Sequence, residues 1–265
     1  MVTERVTRLS DLVTVVLAPN PSPVTLQGTN TYVVGGRTPV VLDPGPDDTE
    51  HLERVLDAAG TVSLVLLTHH HPDHAEGAER FAQMARAPLA AFGHDSVCAI
   101  ASAVRDGQRI DVDGTALVAV HTPGHASDHL SFLLEAERAL FTGDHVLGRG
   151  TTVVAHPDGD MAAYMASLER ARALSAARLY PGHGPVVEEP RTVLDYYIAH
   201  RLEREQQVLA AIDAGDERVE DMVARIYHDV DPVLHPAAAL SVRAHLDKLG
   251  ADGVVEGSEE RWRRA

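Results

Sequence analysis

Apolar and polar positions first alternate in three short β-branched runs, 11–18 (DLVTVVLA), 30–36 (NTYVVGG) and 38–43 (TPVVLD). The last two flank a Gly-Gly-Arg turn, so the three predict an antiparallel opening. Between about 47 and 59 the period changes. Leu52, Val55, Leu56 and Ala59 fall on one stripe, which predicts a helix. Residues 63–68 (SLVLLT) are apolar almost throughout, the pattern of a strand covered on both faces. A helix over about 74–87, a strand at 88–92 and a helix at 95–105, with Cys98 on its buried side, continue the series. Strands return between 116 and 154, in the runs TALVAVHTPGH, HLSFLLE, ALFTGDHV and TTVVAH. A helix at about 159–174 and a short strand in ARLYPGHG follow. Strands, helices, strands and helices in that order predict an α/β fold of two sheets faced by helices.

Beyond Pro190 the pattern becomes helical, at 191–214, about 217–229 and 237–249, the first closed by Gly215 and the last by Gly250. The tail DGVVEGSEERWRRA has the shape of a hairpin, so the reading is a domain at 1–190 and a small winged-helix-like unit at 191–265.

Composition narrows the classes. With 45% apolar and 23% charged residues among 265, the chain is ordinary globular material. No apolar run is long enough to cross a bilayer, and the start MVTERVTRLSDLVTVV lacks the features of a secretory signal, so a cytoplasmic protein without a membrane partner is expected. A lone Cys98 allows no internal disulfide. The net charge of −16 disfavours a broad nucleic-acid surface. What stands out is 16 histidines in a chain with one lysine and one tryptophan.

Six consecutive residues, His69-His70-His71-Pro72-Asp73-His74, follow the buried strand. Alternate side chains of an extended segment share a face, so His69 and His71 converge while His70 points away. Pro72 stiffens the turn, and Asp73 and His74 open the next helix. His125, Asp144 and His183 each end a strand-like run beside glycine. Five imidazoles and two carboxylates make an N/O set that suits two divalent ions. Zinc is the expected metal, and manganese and iron accept the same donors. Water between two such ions is acidified towards neutrality, which is hydrolase chemistry.

This run, with TPGH, GDH and YPGHGP, resembles the metallo-β-lactamase superfamily. The resemblance extends over the whole chain through GTNTY (28–32) and VVLDPG (40–45). It is most similar to the β-lactamase-like protein 2 group, in its GTNTY start, its GDH followed by G-x-G-T-T-V, and a helical tail beginning near His200-Arg201. The resemblance implies a four-layer αβ/βα sandwich with a winged-helix-like C-terminal unit. It implies that His69, His71 and His125 hold one metal, Asp73, His74 and His183 the other, and Asp144 both. It also implies single-stranded RNA endonuclease activity, a bridging hydroxide attacking the phosphodiester. Glyoxalase II and related acyl-thioesterases share the ligand set, so thioester hydrolysis is the alternative. A metal-stabilised regulatory or DNA/protein-binding module is the alternative of another class. Flavodiiron proteins carry Glu where His71 stands, and two β-lactamase subclasses carry Cys in place of Asp144, so redox chemistry and β-lactam hydrolysis are not expected.

Other residues have two readings each. Asp73 is read as a ligand that also assists proton transfer, and with Asp144 as a catalytic carboxylate. Asp43 either anchors a ligand imidazole or is an ordinary turn residue. His129 and His145 orient substrate or satisfy strand-end hydrogen bonds. Thr29 and Asn30 resemble a pocket-lining segment of the group, and Arg201, with His200, suits an anionic substrate or lies on a solvated face. His70 is read as solvated, and His51, His228, His235 and His245 as structural or surface residues. The partner expected is an anionic substrate, RNA or a small thioester. Two divalent ions would make a locally positive site inside an acidic shell.

Overall fold

The computed structural model describes residues 5–93, 102–258 and 261–265. The chain divides into two compact units, one formed by Met1–His121, Asp128–Gly150 and Ser175–Pro190, the other by Thr122–Ser127, Thr151–Leu174 and Arg191–Ala265.

The first unit contains two sheets. One runs in chain order through β1 (Val6–Arg8), β2 (Val13–Leu17), β3 (Asn30–Val34), β4 (Val40–Leu42), β5 (Leu64–Leu66), β6 (Leu89–Phe92) and β7 (Ser102–Val104). Its first four strands are antiparallel, β2, β3 and β4 as expected from the opening runs. From β4 onward pairing is parallel. The chain crosses over through α1 (Thr49–Ala59), then through α2 (Pro72–Ala75) and α3 (Ala78–Ala85). The other sheet has β8 (Arg109–Val112), β9 (Thr115–His121), β10 (Leu130–Leu134), β11 (Ala139–Gly143) and β12 (Arg178–Pro181), in the order β12-β11-β10-β9-β8.

Period-2 alternation builds two buried layers. Tyr32, Val34, Leu42 and Leu66 join Leu117, Phe132, Phe141 and Tyr180 of the second sheet in one cluster. Val33, Val41, Val65 and Leu67 point the other way, onto Leu52 and Val55 of α1 and Phe81 of α3. That is why SLVLLT carries no polar face. Asp48 caps α1 by accepting the His51 N–H.

The second unit holds α4 (Met161–Ala173), α5 (Pro190–Asp213), α6 (Val219–Ile226), α7 (His235–Ala251) and the hairpin β13 (Val255–Gly257) with β14 (Trp262–Arg264). Val208, Ile212, Met222, Val242, Leu246 and Trp262 form its core.

Four expectations need correction. The helix at 74–87 begins two residues early, because Pro72 suits the first helical position, and breaks at Gly77, whose N–H bonds the Gly45 carbonyl. Within 95–105, residues 102–104 form β7 by pairing with β6; residues 95–101, with Cys98, lie outside the described residues. TTVVAH (151–156) forms no strand, since its carbonyls serve side chains: Thr152 accepts from Arg201 and Val153 from His125 Nδ1. The short strands β1 and β8 escaped the pattern, being partly buried or exposed at all but one position. Among the described residues no helix is long and apolar enough to cross a membrane.

Candidate metal centre

His69 lies beyond the end of β5. His71 is held extended (φ −59°, ψ 141°) as the residue before Pro72, which turns the chain into α2 and places Asp73 and His74 in its first turn. The His69 Nε2 and His71 Nδ1 atoms come within 3.0 Å. Strand ends of the second sheet bring the remaining donors: Asp144 follows β11 and His183 follows β12.

Asp73, His74, Asp144 and His183 converge. His183 Nε2 lies 3.1 Å from Asp73 Oδ2 and 3.2 Å from Asp144 Oδ1, and His74 Nε2 lies 3.3 Å from Asp144 Oδ1 and 3.7 Å from Asp73 Oδ2. The two Nε2 atoms are 3.3 Å apart. His74 donates from Nδ1 to Asp43 (2.8 Å) and His183 from Nδ1 to the Gly28 carbonyl (3.3 Å), so both Nε2 atoms present lone pairs. Four acceptors thus face one point. Donor atoms around a tetrahedral ion at zinc-like bond lengths sit about 3.3 Å apart, so these residues fit a divalent cation.

The electrostatics agree. Burial opposes the charged state of each group, yet His183 and His74 hold the Asp144 carboxyl well below the usual carboxylate range. Asp144, Asp43 and Asp73 in turn push His74 well above its ordinary value, and Asp144 and Asp73 push His183 up to about 9, both against the effect of burial. Asp73 is lowered by His74 and His183, again against burial. Without a metal, protons neutralise the cluster, and a divalent ion would replace them.

One buried carboxylate organises both parts of this cluster. Asp43 Oδ1 accepts the Thr68 N–H (2.7 Å), and Oδ2 accepts the Thr68 hydroxyl (2.8 Å) and His74 Nδ1 (2.8 Å). The Thr68 hydroxyl lies 2.9 Å from His69 Nδ1 and accepts its proton. Asp43 therefore orients His74 directly and His69 through Thr68. Its backbone is left-handed, with φ +50°. Two glycines make room. A Cβ on Gly182 would stand 2.7 Å from Asp144 Oδ1 and from His74 Cε1, and one on Gly143, at φ +46°, would stand 2.7 Å from Thr68 Oγ1 and His129 Nε2.

The other sequence-predicted residues sort by their partners. His129 is buried and accepts the Asp144 N–H at Nε2 (3.2 Å); His145 is buried with its ring 6.1 Å from that of His129. Thr29 is pinned by Asn20, and Asn30 donates to the Pro181 and Gly184 carbonyls, both 2.9 Å away. His125 belongs to the second unit, where Nδ1 bonds the Val153 carbonyl at 2.7 Å. Arg201 is buried in the same unit, bonded to Thr152 and 5.2 Å from the Tyr164 ring centre, and the neighbouring His200 is pushed down to about 4 by burial and by Arg201 and Arg204. His70, read as solvated, is half-buried and bonds Asp128 at 2.9 Å. His51 is buried against Thr31 and the Pro44 carbonyl, and His245 is buried too. Sequence reasoning missed Thr68 and Asp128, the first because its hydroxyl reads as an ordinary strand end.

The chain matches the Metallo-beta-lactamase superfamily family model over residues 24–97 and 100–183, and the Beta-lactamase associated winged helix domain over 219–262. It is 38% identical to a Beta-lactamase-like protein 2 homolog from Caenorhabditis elegans, over 96% of this chain and 89% of that protein. It is also 38% identical to the Atrochrysone carboxyl ACP thioesterase dmxR1 of Cryptosporiopsis, over 78% of this chain and 65% of that one. Among solved structures, the metallo-beta-lactamase family protein TTHA1429 from Thermus thermophilus superposes with a TM-score of 0.82 at 23% identity, covering 97% of this chain and 100% of that one. With the fold, the His/Asp cluster and both family models in agreement, the chain belongs to the metallo-β-lactamase superfamily and ends in its associated winged helix.

Proposed function

We propose that the protein is a dinuclear zinc hydrolase acting on small acyl thioesters. The observation that carries the hydrolase reading is the convergence of four buried or half-buried acceptors, from Asp73, His74, Asp144 and His183, on one point. In this reading His69, His71 and His125 hold one ion and Asp73, His74 and His183 the other, with Asp144 shared. Two bound ions supply an acidified water and stabilise negative charge on the attacked carbonyl.

The chain's own residues do the rest. Asp43 fixes the tautomer of His74 and, through Thr68, that of His69, and the Val153 carbonyl does the same for His125. In this reading the Asp73 carboxylate takes the proton released by the attacking water and passes it to the leaving thiolate. Thr29, Asn30 and Arg201 act as loop holders in this reading, because their polar groups serve protein partners.

Two observations favour thioesters. The net charge of −16 and an aromatic content of 4% offer little for a nucleic-acid strand to bind or stack upon. A relative of 38% identity is named an acyl-carrier-protein thioesterase. RNA cleavage is the second reading, favoured by the likeness to β-lactamase-like protein 2 across 96% of the chain, winged helix included.

The deciding experiment presents protein loaded with zinc, manganese or iron to an acyl-glutathione, an acyl-CoA and labelled single-stranded RNA in parallel. Thioester turnover that disappears in Asp144→Ala is expected. RNA cleavage lost in Asp144→Ala and in Asp73→Ala, with no thioester turnover, overturns it.

A further inference from the structure

Resting on the thioester reading, we infer that a groove of about 420 Å³ in the first unit receives the acyl arm of the substrate, and that this arm is apolar and carries a second negative charge at its far end. Its walls are Leu9, Val15, Leu17, Tyr32 and Val186, with Arg149 at the rim. The register explains the surface. Thr7 pairs with Val15 and Val15 with Tyr32 across β1, β2 and β3, while Leu17 pairs with Asn30, so one face of three strands forms a continuous strip.

The floor asks for no polar ligand. The Tyr32 hydroxyl donates to the Pro181 carbonyl at 2.8 Å, and the Asn30 amide donates to the Pro181 and Gly184 carbonyls. Those bonds also join the floor to the metal centre. Asn30 N–H bonds the Gly182 carbonyl, Thr29 bridges to His183, and Gly184 follows His183 in the chain. A carbonyl attacked beside His183 therefore has an apolar channel one residue away. The volume falls in the range of small-molecule sites.

Arg149 decides the far end. It is exposed and makes no ion pair or hydrogen bond among the described residues, although the chain has 39 acidic residues to offer. A guanidinium left without a carboxylate at the mouth of an apolar groove complements an acid on a chain or ring.

The test compares N-acetylcysteamine thioesters of acetic, octanoic and suberic acids. kcat/KM for octanoyl should exceed acetyl about tenfold or more, since each buried methylene is worth a measurable fraction of the barrier. Suberyl should exceed octanoyl. Arg149→Ala should remove only the suberyl advantage. Val15→Asp, or the milder Val15→Ser should the first fail to fold, should remove the octanoyl advantage and leave acetyl turnover unchanged. Equal kcat/KM for acetyl and octanoyl, or variants that slow all three alike, overturn the groove.

A second arm does not need turnover. Octanoate added to metal-free protein should shift the amide resonances of Val15, Gln27 and Tyr32, and acetate should not. Octanoate binding there, lost in Val15→Asp, with no thioester hydrolysed, would sink the thioester reading and leave the groove standing. Thioester hydrolysis without such binding does the opposite.

Discussion

The clustered histidines of the first unit's candidate metal centre and two histidines of the second unit live in opposite electrostatic worlds. In the first unit His74 and His183 face Asp43, Asp73 and Asp144, and both are raised, His183 to about 9, against the effect of burial. In the second unit His200 and His245 sit among Arg201, Arg204 and Lys248; burial first, and those cations next, push them down to about 4 and about 3. His245 is 1% exposed, and neither ring nitrogen has a hydrogen-bond partner. Burial opposes the charged imidazole in both places, fully at His74, His183 and His245 and in part at His200. The neighbours decide, so a count of histidines says little about metal until the carboxylates beside them are counted too.

That contrast can be attacked from its strongest point. Asp144→Ala removes the carboxylate that both raised imidazoles share; activity should fall by about 10³-fold or more and the bound metal should be lost, read by turnover and metal analysis. Retained metal would mean that the other carboxylates suffice. Next in size is Asp43→Asn, which should weaken metal binding about ten- to a hundredfold in a chelator competition. Thr68→Val should fall at the lower end of that range and Thr68→Ser should restore it, because the hydroxyl alone links Asp43 to His69.

pH separates the two units more gently. His183 has a folded pKa of about 9, above its unfolded value of 6.5, so its contribution to the metal-free fold is present below 6.5 and lost as pH rises through about 9. Metal binding at these imidazoles should reverse the trend, since it releases their protons. His200 and His245 are lowered, so their contribution is present above 6.5 and lost as pH falls through about 4 and about 3. Thermal unfolding from acid to alkaline pH, with chelator and with metal, should display both limbs. The smallest effect belongs to His245→Leu. It should leave metal content unchanged, change stability at neutral pH by about 1 kcal/mol or less, and flatten the acid limb. An acid limb unchanged by His245→Leu would show that other buried groups, His51 at about 4 among them, carry it.

The candidate ligand run was legible because several signals coincide at 69–74: a strand without a polar face, a proline that fixes the turn, and alternation that puts His69 and His71 together. The helices after Pro190 were legible in number and place, but Gly250, expected to close the last, lies inside α7, which runs on to Ala251. Where the pattern misled, a partner outside the segment prevailed. TTVVAH has strand composition, yet Thr152 and Val153 give their carbonyls to Arg201 and His125 instead of to a neighbouring strand. Ser102–Val104 joins β6 although local periodicity favoured a helix. Thr68 could not be singled out at all, because its role exists only once Asp43, 25 positions earlier in the chain, lies beside it.

The glycines at 143 and 182 carry no chemistry, yet each holds open a space that a single methyl group would fill, against Thr68 and His129 in one case and against Asp144 and His74 in the other. In a library sampling every substitution at every position, these two should be as intolerant as the candidate metal ligands themselves. Part of what defines the centre is therefore written as volume withheld, and a search for its relatives that scores only donor residues would overlook it.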